Sequence, residues 1–269
     1  MDNRSIGVFD SGLGGLTAVK EIMKELPDEN IVYFGDTGRV PYGTRSKETI
    51  IKYSKNDIAF LLSLNVKLIV VACGTVSSLA LPEIRGDYKT PIIGVVEATA
   101  DAAMHTTKNN RIGIIGTPGT IKSSSYERLI KQKNSSIEIF SKACPLFVPL
   151  VENGHFDTKV AELVVEEYLE EVKKQNIDTL ILGCTHYPLL KNTISRYMGS
   201  DVKLIDAGAE TARALKEHLD KNELHSKQRG GAEYRYFVSD NVDGFESLGS
   251  MFLGMKINGQ VEKIDIEKY

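Results

Sequence analysis

Lys67-Leu-Ile-Val-Val-Ala-Cys73-Gly-Thr75 and Thr179-Leu-Ile-Leu-Gly-Cys184-Thr185-His186 read as two copies of one device. In each, a short apolar run of the kind that forms a strand buried on both faces ends in a cysteine, with a threonine close behind. A parallel strand carries its last residues to the carboxyl edge of its sheet, where open α/β folds hold their ligands. Two thiols delivered there point to chemistry.

Outward from these segments, apolar runs alternate with amphipathic stretches, the pattern of parallel strands joined by crossover helices. The expected strands are Ser5–Asp10, Ile31–Gly35, Lys67–Cys73, Pro91–Val95, Arg111–Gly116, Ile137–Phe140, Asp178–Cys184, Val202–Ile205 and Tyr234–Val238. Helices are expected between them. Lys47–Leu64 carries Ile50, Ile51, Tyr53, Ile58, Leu61 and Leu62 on one face, and Asp157–Gln175 carries Val160, Leu163, Val164 and Leu169 behind an Asp157 N-cap. Val76–Arg85, Tyr187–Met198 and Ala207–Leu219 are further helices, and Lys221–Gly231 is a polar surface loop whose charges need no function.

The chain also starts over. Ile6-Gly-Val-Phe-Asp10-Ser-Gly12 is echoed by Ile112-Gly-Ile-Ile-Gly116-Thr-Pro-Gly119, and each cysteine follows its echo at nearly the same distance. The fold class is therefore α/β, as two similar doubly wound domains with largely parallel sheets related by a pseudo-twofold axis and a site in the cleft between them. The stretch after Asp206 has too few strands for a third domain and is expected to return to the first. That gives residues 1–97 plus 207–269 as a discontinuous first domain around a second at 98–206.

Composition narrows the function. With 269 residues, 42% of them hydrophobic, and a net charge of −3 with both signs interspersed, the chain has a sizeable core and no basic stripe. A small-molecule ligand is expected, with no nucleic acid and no membrane. Met1-Asp-Asn-Arg-Ser5 lacks a secretion-signal pattern and no apolar run spans a bilayer, so the cytoplasm is the expected compartment. There are 3 cysteines, an odd number that argues against a disulfide framework, and their spacing matches no zinc finger.

Inverting a stereocentre by proton transfer needs a base on one face and an acid on the other. Cysteine suits both roles, because its ordinary pKa of about 8.5 responds to neighbouring cations, helix N-termini and hydrogen bonds. Asp10 ends the first strand and could orient a substrate ammonium or serve Cys73, while His186 could serve Cys184. Thr75 and Thr185 supply hydroxyls at matching places, and backbone N–H groups of the following helices could hold a carboxylate. Plainer readings stand beside these: Asp10 as an Asx turn before Gly12, His186 as a satisfied structural histidine, and Cys144 as packing. Gly12, Gly14 and Gly15 lack the dinucleotide spacing and the Walker lysine, and read as a tight turn.

Over nearly its whole length the chain resembles the glutamate racemase family. The motifs are Gly7-Val-Phe-Asp10-Ser11-Gly-Leu-Gly-Gly15, Tyr33-Phe-Gly-Asp36-Thr-Gly-Arg-Val-Pro41-Tyr42-Gly43, Val71-Ala-Cys73-Gly74-Thr75 and Leu182-Gly-Cys184-Thr185-His186-Tyr-Pro-Leu-Leu190. The resemblance implies Cys73 and Cys184 as the two acid/base residues, with Asp10 supporting the first and His186 and Glu152 the second. It implies substrate contacts at Asp10, Ser11, Pro41, Tyr42, Gly43, Thr75, Thr117, Thr185 and His186, and also at Gly74 through its backbone. It further implies no cofactor and no metal, a homodimer, and a supply of D-glutamate for peptidoglycan. One position departs from the family: Gly74 stands where asparagine is usual, so an amide contact to substrate is missing and restoring it should tighten binding. Alternatives are a sister racemase or isomerase acting on aspartate or hydantoins, a non-catalytic amino-acid-binding protein, and a metal site built on Cys73, Cys184 and His186.

Overall fold

A computed structural model of the protein describes residues 1–228, 230–257 and 261–269. The strands are β1 (Ile6–Asp10), β2 (Ile31–Gly35), β3 (Leu68–Val71), β4 (Ile92–Gly94), β5 (Arg111–Gly116), β6 (Glu138–Ala143), β7 (Thr179–Leu182), β8 (Lys203–Asp206), β9 (Tyr234–Val238) and β10 (Val261–Lys263). They form two sheets, ordered β10-β9-β2-β1-β3-β4 and β6-β5-β7-β8, and every pairing is parallel. The four strands β2-β1-β3-β4 of the first sheet repeat the order of the second. The internal echo in the sequence is thus an echo of topology, and β9 and β10 extend the first sheet on the β2 side.

Each sheet reverses its winding between its first and third strands, β1 and β3 in one and β5 and β7 in the other. Open α/β sheets leave a crevice at this point, outside the carboxyl ends of the strands. Asp10 ends β1 and Ser11 follows it, Cys73 follows β3, Thr117 follows β5 and Cys184 follows β7. Strands β3 and β7, which deliver the two cysteines, are buried along their length, as their runs of Val, Ile and Leu require of a sheet covered on both faces.

The halves pack through helices as well as through the cleft. Helix Ala207–Lys221 lies against both Leu16–Glu25 and Val95–Thr106. One apolar cluster accordingly runs from Ile6, Leu16 and Val70 through Leu215 to Leu169 and Leu182, continuous across the two halves.

Several expectations change. Helix Lys159–Lys173 is capped by Thr158, whose hydroxyl accepts from the Ala161 N–H, and not by Asp157. Its buried stripe is Ala161, Val165, Leu169 and Val172, whereas Val160 and Leu163 are exposed. The helix expected at Val76–Arg85 starts at Gly74 and breaks at Ala80, because Pro82 has no N–H to carry the ladder onward. Tyr187–Leu190, bearing Pro188, is a 3-10 turn, and the regular helix begins only at Lys191. Strand β10, which had no sequence signal, lies on the sheet edge.

The segment following Lys221 is more than a solvated loop. Buried Lys67 Nζ meets Glu29 Oε2 at 2.5 Å and donates to the Leu224 and Asp2 carbonyls, while Glu29 Oε1 accepts from the Ser226 N–H at 2.8 Å. The cost of desolvating this ion pair is offset by these further hydrogen bonds to both charged groups. Arg229 of that segment lies outside the described residues.

Candidate active site

Between the carboxyl edges of the two sheets is a cavity of about 360 Å³, at the small end of the range for small-molecule sites. Both candidate sulfurs reach it, Cys73 from the first half and Cys184 from the second, and each side chain is otherwise buried. Ser11, Pro41, Tyr42, Gly43, Gly74, Thr75, Thr117, Glu152, Thr185 and His186 complete the wall among the residues singled out in the sequence. Asp10 alone of that set stands behind the wall, fully buried.

The cleft is stitched across its width. Thr75 and Thr117 hydroxyls meet at 2.9 Å, the Gly119 N–H donates to the Gly43 carbonyl at 3.0 Å, and Thr17 Oγ1 donates to the Thr185 carbonyl at 2.8 Å. Two glycines permit this closeness. A Cβ on Gly14 would overlap the His186 ring, and one on Gly74 would overlap the Gly183 carbonyl oxygen. An asparagine at position 74 therefore meets backbone before it meets ligand, and the expectation that it would simply restore a hydrogen bond does not fit this geometry.

At one end of the cavity, the Cys73 thiol donates to Ser11 Oγ at 3.5 Å. Burial, reinforced by the nearby Asp10 charge, pushes the thiol up to about 12 and keeps it protonated at neutral pH. Asp10 Oδ2 accepts from the Gly12 N–H at 3.1 Å, so the Asx turn is real, and Thr185 Oγ1 reaches its other oxygen at 3.5 Å. Burial raises the Asp10 carboxyl while the His186 charge and the backbone N–H groups of Gly15 and Gly12 pull it back.

The other end is polar in a different way. His186 Nδ1 lies 3.9 Å from the Cys184 sulfur, and its Nε2 lies 3.0 Å from Glu152 Oε1. Burial would push the imidazole down, yet its hydrogen bonds to Cys184 and Glu152 outweigh that and hold it up to about 10. A charged imidazolium thus faces one sulfur and a neutral thiol stands at the other.

Sequence reasoning missed Thr44 and the apolar part of the wall, formed by Val40, Pro118, Pro145, Val148 and Pro149. Cys144 also borders the cavity, though it is fully buried in the core as its packing role requires. The signal for Pro145 to Pro149 was available, since this proline-bracketed run follows β6 at the same sheet edge that delivers Cys184. Among the described residues no three His, Cys, Asp or Glu side chains are grouped as a metal ion would need, and no helix is long and apolar enough to cross a membrane.

The family model for Asp/Glu/Hydantoin racemases matches residues 10–215, which include both cysteine strands and every wall segment. That sets the class. A glutamate racemase of Geobacter metallireducens is 47% identical over 98% of this chain and 97% of its own length. Among solved structures, the glutamate racemase of Francisella tularensis, crystallised with D-glutamate, superposes with a TM-score of 0.93 at 41% identity over 100% of both chains. A Bacillus anthracis glutamate racemase isoform reaches a TM-score of 0.95 at 38% identity over 98% of each. The chain belongs to the glutamate racemases of this family.

Proposed function

We propose that the protein interconverts L- and D-glutamate by two-base proton transfer between Cys73 and Cys184, without cofactor or metal. The observation that carries this reading is that two sulfurs, one from each half, border one small cavity with unlike ionisable partners. A thiolate at one side takes the Cα proton: the Cα–H bond breaks, an S–H bond forms, and the electron pair stays on the substrate, spread toward its carboxylate. The facing thiol gives its proton to the opposite face, its S–H bond breaks, and the negative charge now rests on the second sulfur. Configuration inverts with no net change in atoms or charge.

In this scheme Asp10 serves the Cys73 side, and His186, steadied by Glu152, serves the Cys184 side as general acid or base. Ser11, Thr75, Thr117 and Thr185 supply hydroxyls, and the backbone at Pro41, Tyr42, Gly43 and Gly74 supplies the remaining contacts to the substrate. The domain boundaries proposed for this machine are 1–97 with 207–269, around 98–206. The family resemblance supports extending the reading to a cytoplasmic homodimer that provides D-glutamate for peptidoglycan. The alternative of a binding protein without catalysis is less well supported, since retention of an amino acid needs no thiol at either side.

The test is incubation of purified protein with L-glutamate in deuterated water, following optical rotation and deuterium at Cα. Loss of rotation with one deuterium per inversion is expected. Retained rotation with no label would overturn the proposal, and faster labelling of L-aspartate run in parallel would reassign the substrate.

A further inference from the structure

The cavity wall Val40–Thr44 has no strand or helix of its own. What holds it lies underneath. Arg39 Nε meets Asp36 Oδ2 at 2.6 Å, Nη2 meets Asp57 Oδ1 at 2.9 Å, and Nη1 meets Glu267 Oε1 at 3.2 Å and Asn56 Oδ1 at 3.3 Å. The guanidinium lies 4.2 Å from the centre of the Tyr53 ring. The Tyr42 hydroxyl, at the inner end of a side chain whose residue faces the cavity, donates to Asp36 and lies 3.2 Å from Asp57 Oδ2. Asp36 and Asp57 are both fully buried, so these carboxyl groups need the hydrogen bonds that Arg39 and Tyr42 give them.

The outer side of this cluster is closed by a distant part of the chain. Ile266 is buried, Tyr269 packs edge-on against Phe60 at 5.2 Å, and Asn56 donates to the Tyr269 carbonyl. Ser239 Oγ donates to Asp36 Oδ1 at 2.8 Å from just beyond β9. Apart from Asp36 and helix Lys47–Ser63, the supports of the wall thus come from residues more than 200 positions later.

We propose that Arg39 and Asp57, braced by the segment Ile266–Tyr269, are positioning residues that fix the Tyr42–Gly43 wall in its substrate-binding geometry. The assignment rests on the proposed reaction for its meaning but not for its physical test. Removing the brace leaves the sulfurs, Asp10 and His186 where they are: the Asp36 N–H donates to the Asp10 carbonyl at 3.1 Å as part of the β1–β2 pairing, and no side chain of the four hydrogen-bonds to the cluster. It frees the wall to sample positions from which Tyr42 and Gly43 miss the ligand. The consequence is weaker binding with the proton-transfer steps intact.

The experiment compares the parent with a Glu267→Gln/Tyr269→Ala double variant and with Arg39→Lys, which keeps the charge but loses the planar fork. Amide hydrogen exchange on ligand-free protein is read at Tyr42–Arg45 and, as reference, at strand β3. An exposed ion pair and an aromatic edge contact together correspond to about a tenfold change. Exchange at Tyr42–Arg45 should quicken about tenfold in the double variant with β3 unchanged, and KM for glutamate should rise by a similar factor with kcat within about twofold. Arg39→Lys should give the same split. Unchanged exchange at Tyr42–Arg45, or equal loosening of β3, would overturn the proposal whatever the activity. So would a fall in kcat at constant KM. The exchange arm needs no turnover, so an inactive parent would refute the glutamate reading while leaving this one to stand or fall on its own.

Discussion

The two cysteine corners are built alike in backbone and unlike in charge. Cys73 and Cys184 each leave the third strand of their half at the point where the sheet reverses its winding. Yet the first sits beside a hydroxyl and a buried carboxyl group, and the second beside an imidazolium braced by Glu152. A racemase performs the same act on mirror-image substrates, but the two-base reaction proposed above requires the pair of sulfurs to hold one fewer proton than there are sulfurs. Chemical asymmetry between the corners decides where that proton rests before substrate arrives. The repeat supplies the geometry, and the departures from the repeat supply the protonation.

Breaking either corner should have the largest effect. Cys73→Ser and Cys184→Ser should each lower racemisation by about 10³–10⁴-fold, because serine at neutral pH neither gives nor takes the proton usefully. Polarimetry measures it, and a variant within tenfold of the parent would remove that sulfur from the mechanism. Weakening a corner should be milder and more telling. Asp10→Asn and His186→Asn should each cost about 10²-fold. Since L- and D-glutamate are equal in free energy, kcat/KM must fall equally in both directions for any variant. The asymmetry is expected in the primary isotope effects from Cα-deuterated substrates, with His186→Asn raising the effect for one enantiomer and Asp10→Asn for the other. The same enantiomer responding to both would show that the corners do not work separately.

What the sequence exposes is the part fixed by local pattern. Strands β2, β5 and β9 fall on their expected limits, because Val, Ile, Phe and Tyr runs bounded by turn residues leave little freedom. Helix Lys159–Lys173 misled because apolar side chains occur all round it: the buried stripe uses Ala161, a small residue easily discounted, while Val160 and Leu163 look outward. The three-residue β10 has a single apolar side chain, Val261, and is fixed by its pairing with β9 and not by its own pattern. In the site, Cys73, Cys184 and His186 were legible from motif and repeat. The cluster of Asp36, Arg39, Tyr42 and Asp57 was not, since nothing local announces that four polar side chains on a loop and a helix will converge in a buried pocket.

The shared wall gives a smaller lever. Gly74→Asn brings a Cβ onto the Gly183 carbonyl, so the halves must part slightly or the turn after β3 must shift. Overpacking of this sort costs about 1–3 kcal/mol of stability, and a cleft displaced at this turn is expected to raise the KM for glutamate. A lowered KM would mean that the cleft opens at little cost and that the side-chain amide was merely missing.

The His186 corner should also be visible in stability. Its imidazole is held up to about 10 in the folded protein, against an ordinary value near 6.5. Below the ordinary value both folded and unfolded chains carry the proton and the stabilisation is complete. As pH rises from there toward 10 the unfolded chain loses the proton first, so the contribution declines at up to about 1.4 kcal/mol per pH unit and is gone above 10. Denaturant midpoints measured across this window should fall for the parent and fall less steeply for His186→Asn.

The third thiol provides the smallest expected change and the sharpest control. Cys144 borders the same cavity, and burial pushes it to about 12, as burial does for Cys73. If a raised thiol pKa at the cavity were enough to make an acid, the two residues would be interchangeable. Their surroundings say otherwise: among the described residues the Cys144 sulfur's hydrogen-bond partner is the Lys142 carbonyl, at 3.8 Å, and it follows β6, a strand away from the winding reversal. Cys73 has Ser11 and Asp10 to exchange charge with. Cys144→Ala should therefore cost stability, about 1 kcal/mol for the lost sulfur, while racemisation stays within about threefold. A loss comparable to Cys73→Ser would mean that position at the reversal is not what makes a thiol catalytic here.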